Sequence, residues 1–150
     1  MMEGMIVDPK SALRFILGGD ATVTLVSRRT GARLTYKVRQ KKEKSEPEPP
    51  LYFVSLLTGP DNENDYSPIG IIVAKGGGWA FYPTRKARMA GINEDAPSVR
   101  AMRWALRFLP TGMPPQTDVW HDGRCGKCGR PLTVPESIST GIGPVCMAKG

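Results

Sequence analysis

His121, Cys125, Cys128 and Cys146 gather every cysteine and the sole histidine of the chain into one stretch, spaced H-x3-C-x2-C-x17-C. Thiolate and imidazole are the donors zinc takes in a tetrahedral site, and four protein donors make that site structural. Two residues between Cys125 and Cys128 let one tight knuckle turn present both sulfurs to one ion, and Gly126 and Gly129 ease the turn. The third sulfur arrives after a loop, as in zinc ribbons and treble clefs. Within Gly141-Ile142-Gly143-Pro144-Val145-Cys146 the proline suits the start of a helix, so Cys146 falls in a first turn where the dipole favours a thiolate. The reading is a structural Zn2+ site on His121, Cys125, Cys128 and Cys146. Asp118, Asp122 or a water are the alternatives at the place given to His121.

Other uses of the cysteines fit less well. Disulfides would leave one of three thiols over. The first residues, MMEGMIVDPK, lack a basic segment followed by an apolar run, so a reducing cytoplasm is expected, where disulfides are disfavoured. A thioredoxin-like motif would open a long helix, whereas Cys125 lies among Gly, Lys and Arg. Arg124, Lys127 and Arg130 surround the knuckle, either steadying its thiolates or forming a solvated basic rim.

The string from Cys125 to Ile138 (CGKCGRPLTVPESI), followed by Gly141-Ile142-Gly143-Pro144-Val145-Cys146, resembles a short zinc-binding domain of unknown function. That domain recurs in tailed-bacteriophage and prophage proteins and at the ends of some helicase-like proteins. The preceding chain is similar to the front part of small phage proteins ending in this module, around Thr30-Gly31, Leu57 to Asp61 and Thr84-Arg85-Lys86. The resemblance implies a phage or prophage origin, a metal-stabilised tail and the cytoplasm of a host cell. It implies no known activity.

At 150 residues and 40 % apolar content there is room for one domain with a real core plus a small appendage. No apolar run approaches the ~20 residues that span a bilayer. Lysine and arginine number 21 against 14 acids, a net charge of +7. That excess favours an anionic partner, nucleic acid first.

The elements expected to position these groups follow from periodicity and punctuation. Residues 8–17 read as a short helix, with Asp8 as cap, Pro9 in its first position and Gly18-Gly19 ending it. Residues 21–27 and 33–39 alternate as the strands of a hairpin around Thr30-Gly31. The segment 41–50, KKEKSEPEPP, reads as a mobile loop. Residues 51–58, 66–74 and 79–82 are further strands, with turns at 59–65 and 75–78. A basic connector (84–91) leads to the principal helix, 96–109, with Asp95 as cap; Val99, Met102, Leu106 and Leu109 face the sheet and Pro110 ends it. Pro114-Pro115 begin a linker. The expected fold is α+β: an antiparallel sheet of about five strands with one principal helix. Residues 1–113 form the α+β domain, and 114–150 a C-terminal zinc-knuckle or treble-clef-like module.

Enzyme constellations are missing. A lone histidine on zinc leaves no base for a Ser-His-Asp machine, and the His-x-Glu of zinc deaminases is absent. Gly76-Gly77-Gly78 lacks the Lys-Ser/Thr of a phosphate loop. The remaining candidates are cations. Arg100, Arg103 and Arg107 recur on one helix face, near Arg85, Lys86 and Arg88 in sequence. Arg28, Arg29 and Arg33 mark a hairpin tip that Lys37, Arg39, Lys41 and Lys42 continue. Arg124, Lys127 and Arg130 rim the knuckle. Arginine's planar fork grips phosphate with two hydrogen bonds, although charge runs also simply keep helices soluble. Tyr36, Tyr52, Tyr66, Trp79 and Tyr82 are available to stack bases or to fill the core. Trp120 is expected to pack the module onto the main domain. These features converge on a non-catalytic, phage-type, zinc-containing protein that binds DNA or RNA through a basic surface. The alternative is a protein–protein module or inhibitor acting on a host polymerase, nuclease or defence complex. Neither reading involves a membrane.

Overall fold

The computed structural model describes residues 4–41, 50–61 and 63–148. Residues 42–49, most of the expected charged loop, and Asn62 of the expected turn lie outside the described residues. In chain order the elements are β1 (Met5–Ile6), α1 (Pro9–Ile16), β2 (Asp20–Ser27), β3 (Arg33–Gln40), β4 (Leu51–Leu57), β5 (Tyr66–Lys75) and β6 (Gly78–Pro83). There follow α2 (Arg85–Met89), α3 (Pro97–Phe108), β7 (Thr117–His121), α4 (Pro135–Thr140) and α5 (Pro144–Ala148).

The strands form one antiparallel sheet of seven in the order β1-β7-β2-β3-β4-β5-β6. Alternation decides its two faces. Ala21, Val23 and Leu25 of β2, Tyr36 and Val38 of β3, and Tyr52 and Val54 of β4 point into the core. Thr22, Thr24, Thr35 and Lys37 point the other way and stay half-buried. α1 and α3 cover the core face. Phe15 and Ile16 of α1, and Val99, Met102 and Leu106 of α3, are buried with the sheet's inward residues. The Tyr36 hydroxyl crosses this interior to donate to the Ser98 carbonyl at 2.7 Å, fixing α3 against the middle of the sheet. Burial without a nearby charge pushes that phenol above the usual tyrosine range.

α1 starts as its residues dictate. The Asp8 carboxylate accepts from the Ser11 N–H at 2.9 Å, and Pro9 occupies the first turn. α3 starts differently from the expectation. Its N-cap is Ala96, which makes no side-chain capping bond, and Asp95 instead donates its N–H to the Asn93 side chain at 3.0 Å. Proline at the first turn fixes the helical backbone angle there without a cap.

Three expectations need correction. The sheet has seven strands, not about five. β1 is too short to show alternation, and β7 lay in what read as a linker and a metal ligand. The basic connector folds its residues Arg85–Met89 into α2, capped by the Thr84 hydroxyl, which accepts from the Ala87 N–H at 3.2 Å. The division at 113/114 does not separate the structure, because β7 lies between β1 and β2 in the same sheet. Among the described residues no helix is long and apolar enough to cross a membrane.

Tyr36→Phe removes the donor that joins the sheet to α3, while the Ser98 carbonyl keeps its place as a helical acceptor. It should lower the unfolding free energy by about 0.5–1.5 kcal/mol in urea denaturation, with the denaturant slope unchanged.

Candidate metal centre

β7 enters the sheet beside β2, and the chain then turns away at Asp122-Gly123 into a knuckle hairpin. The Leu132 N–H donates to the Gly123 carbonyl at 2.8 Å, Arg124 bridges Pro131, and the Cys125 N–H donates to the Arg130 carbonyl at 2.8 Å. The Gly129 N–H closes the tip on the Cys125 carbonyl at 2.9 Å, with Gly129 at φ 78°, a left-handed angle that suits glycine. α4 ends at Gly141, also left-handed, and α5 follows at once and carries Cys146.

This path brings Cys125, Cys128 and Cys146 together, with their sulfurs all within 4.8 Å of one another. A tetrahedral ion with bonds of about 2.3 Å sets sulfurs about 3.8 Å apart, so the three are spaced to close on one metal ion with little movement. Cys125 and Cys146 are buried and Cys128 is exposed. Burial alone would raise the Cys125 thiol. The N–H groups of Gly143, Cys128 and Lys127 and the neighbouring Cys128 thiol outweigh it and bring Cys125 down to about 7. Burial, reinforced by the other two cysteines, pushes Cys146 up to about 11. One thiolate is thus prepared, and a cation must displace the proton of another.

The structure does not bring His121 into this group. Its ring sits on the core face of β7, 5.9 Å from the ring of Phe15. Nε2 lies 2.5 Å from the Ile138 carbonyl and so donates to it, while Nδ1 accepts from the Gly123 N–H at 2.9 Å. Both nitrogens therefore hold the start of the knuckle to α4, and the expected role of His121 as metal ligand is replaced by a structural one. Asp118 pairs with Arg28 at 3.0 Å. Asp122 accepts from the Arg124 N–H at 3.3 Å. Trp120 faces away from the core, on the outward face of the sheet beside Thr24.

Contact with the rest of the chain is made by Phe15. A Cβ added to Gly126 would meet the Phe15 ring and its carbonyl oxygen at 2.6 Å, and one added to Gly141 would meet the ring at 2.6 Å. The Gly126 carbonyl accepts from the Asp20 N–H at 2.8 Å, and the Gly126 N–H donates to the Gly141 carbonyl at 2.8 Å.

The expected basic residues divide between the two layers. On the helical side, Arg103 is engaged: Nε donates to the Phe81 carbonyl at 3.0 Å and Nη2 lies 3.5 Å from Glu94. Arg88 also pairs with Glu94, at 2.5 Å, and Arg107 lies over the Phe108 ring. Arg85, Lys86 and Arg100 are exposed. No free three-arginine stripe forms. On the opposite face a groove of about 900 Å³ crosses β2 and β3, lined by Thr22, Thr24, Arg33, Lys37, Arg39 and Arg124 among others. Its acids Asp20, Glu63 and Asp122 partly offset these cations. Asp20 pairs with Arg39 at 2.5 Å. Lys37 lies 4.2 Å above the Tyr66 ring and donates to the Glu63 carbonyl at 2.9 Å. Arg28 and Arg29 lie beyond this groove at the exposed hairpin tip, and Lys127 and Arg130 are exposed on the knuckle.

The aromatic candidates separate in the same way. Tyr36 and Tyr52 are core residues, and Trp79 packs edge-on against Tyr52. Tyr66 borders the groove. Phe53, which sequence reasoning passed over, is 49 % exposed between Arg39 and Ile71 on the uncovered face. Its position in the alternation of β4, opposite in parity to Tyr52 and Val54, is the signal that locates it.

Two outcomes are expected. Gly126→Ala forces the knuckle away from Phe15, so it should cost about 1–3 kcal/mol in thermal or urea unfolding and speed metal loss to a chelator. Metal affinity should fall with acidification, and more steeply below pH 7. The depressed Cys125 favours the ligating form above that value and loses it as the pH falls through it; competition with a chromophoric chelator across pH measures this.

Residues 118–149 match a family of unknown function (DUF6011). No curated protein and no solved structure matches the chain.

Proposed function

We propose that this is a non-catalytic, zinc-stabilised protein that binds nucleic acid on the uncovered face of its sheet, in the phage or prophage setting the sequence resemblance implies. The observation that carries the reading is the groove across β2 and β3. There Arg33, Lys37, Arg39 and Arg124 line one polar trough beside Tyr66, on the face that no helix covers among the described residues. Cations arrayed along a trough meet successive phosphates, and a ring at its edge offers a base a stacking surface. Of the acids in the trough, Asp20 pairs with Arg39, while Lys37 is held by the Glu63 backbone carbonyl, and the whole chain retains +7. Zinc is the ion assigned, because three thiolates select a soft or borderline metal and a knuckle hairpin favours tetrahedral geometry.

The reading differs from a stripe on α3, and the difference is testable. Fluorescence anisotropy with labelled DNA and RNA across a salt series should show affinity falling steeply with salt. Arg33→Ala and Lys37→Ala should each weaken binding and reduce the salt slope by about 1. Arg100→Ala should change neither. Binding that ignores salt, or equal binding by the groove variants, would overturn the proposal. If nucleic acid fails to bind while a host polymerase, nuclease or defence protein is retained stoichiometrically from nuclease-treated lysate, the protein–protein reading takes its place.

A further inference from the structure

We infer that the three-cysteine centre holds its metal with one coordination position open, and that this position takes an exchangeable Lewis base of the thiol or imidazole class, with water there at rest. The inference rests on metal binding by these cysteines and not on the nucleic-acid reading.

Each protein donor that the spacing offered for the fourth place is committed elsewhere. His121 uses both ring nitrogens, one toward Ile138 and one toward Gly123. Turning the ring to the metal would unpair a carbonyl and an N–H at a buried residue, a cost of about 1–3 kcal/mol for each group. Asp118 is held by Arg28. Asp122 belongs to the groove on the other side of the hairpin. Among the described residues no other histidine or carboxylate joins the three sulfurs.

The space beside the sulfurs is open and of a suitable kind. A cavity of about 220 Å³ is lined by the three cysteines with Arg130, Pro131, Gly143, Pro144 and Val145. A water occupies about 30 Å³ of liquid, so the cavity admits a ligand of several heavy atoms. Cys128 and Val145 are exposed, which leaves its mouth reachable from solvent. Its wall joins apolar proline and valine to one guanidinium, a lining for a small ligand with an apolar body and a soft donor.

Charge then indicates what the open position does. Three thiolates more than cancel a divalent ion, so the metal polarises a bound water weakly. That differs from the histidine-rich centres that generate hydroxide at neutral pH. Soft ligation favours exchange with thiols and imidazoles over hydrolysis. The open position is therefore a binding site.

The test uses the full chain loaded with zinc for X-ray absorption and with cobalt(II) for visible spectroscopy. Zinc absorption should show three sulfurs and one light donor, without the outer-shell scattering of an imidazole. The cobalt bands should shift saturably on titration with imidazole and with 2-mercaptoethanol. His121→Gln keeps a donor for Ile138 and should leave the resting spectrum unchanged. An imidazole signature in wild type, a resting spectrum altered by His121→Gln, or bands indifferent to both probes would overturn the open position. Failure to take up either metal would overturn the centre itself, and none of these outcomes bears on binding by the groove.

Discussion

The structure depends on how closely two glycines approach one phenylalanine. Phe15 is fully buried, and its ring lies against Gly126 of the knuckle and Gly141 at the end of α4. Any side chain at either glycine would overlap the ring. Such proximity matters because a segment as short as 122–148 cannot bury enough apolar surface to fold alone. Its own buried cluster is small: Cys125, Ile142 and Cys146, with Leu132 and Met147 at the edge. Two other devices supply what that cluster lacks. One would be a metal ion, which the three sulfurs are spaced to hold. The other is the main core, where Phe15 of α1 lends the module its aromatic ring and the Asp20 N–H at the start of β2 donates to the Gly126 carbonyl. The tail is consequently an extension of the main core. β7 ties it into the sheet, and Phe15 covers its inner side.

One consequence is a division of labour between the faces of the sheet. Helices α1 and α3 seal the inward face, and cations on that layer are drawn into structural pairs, as with Arg88 and Arg103 around Glu94. Among the described residues the outward face has no covering layer. Its threonines bond to one another, Thr24 with Thr35 at 2.7 Å, while its lysine and arginines extend over a trough walled partly by the knuckle. A one-sided sheet with one polar face is normal for antiparallel architecture. An exposed phenylalanine in the middle of that face is less ordinary, and Phe53 gives it apolar character where a purely solvated surface would be polar throughout.

Much of this was legible in the sequence. Asp8-Pro9 located α1, alternation located β2 and β3, apolar runs between turn residues located β4 to β6, and the spacing Val99, Met102, Leu106, Leu109 located the buried face of α3. Each of these signals is local and repeated. The three cysteines were legible because their donor chemistry and spacing are specific. The missing parts were not local. β7 reads as a strand only once β1 and β2 are seen on either side of it. His121 has the ligand chemistry of a metal site, and its spacing is right; only the positions of Ile138 and Gly123 show that its nitrogens are already bonded. The arginine stripe failed for a related reason. Helical spacing places Arg100, Arg103 and Arg107 near one another, but it does not reveal that a strand carbonyl at Phe81 and the carboxylate of Glu94 lie within reach of the middle one. By contrast, Arg33, Lys37 and Arg39 share a face by alternation alone, a signal present in the sequence but outweighed there by the more conspicuous helix.

The two candidate sites meet at Asp20. Its carboxylate holds Arg39 in the trough, and it stands so close to Gly129 that a Cβ there would meet it at 2.8 Å. Arg124 crosses the same hairpin to donate to the Gly129 carbonyl at 3.3 Å. The knuckle tip between Cys125 and Cys128 thus fixes the backbone against which one cation of the trough is set and from which another projects. A metal ion closing the sulfurs would restrain that tip against Asp20. It would thereby act on the trough by shaping its wall, although the three cysteines line a separate cavity that shares none of the trough's cations. Such coupling requires no second conformation of the sheet, only that the wall be ordered by the metal and the floor by the core beneath it.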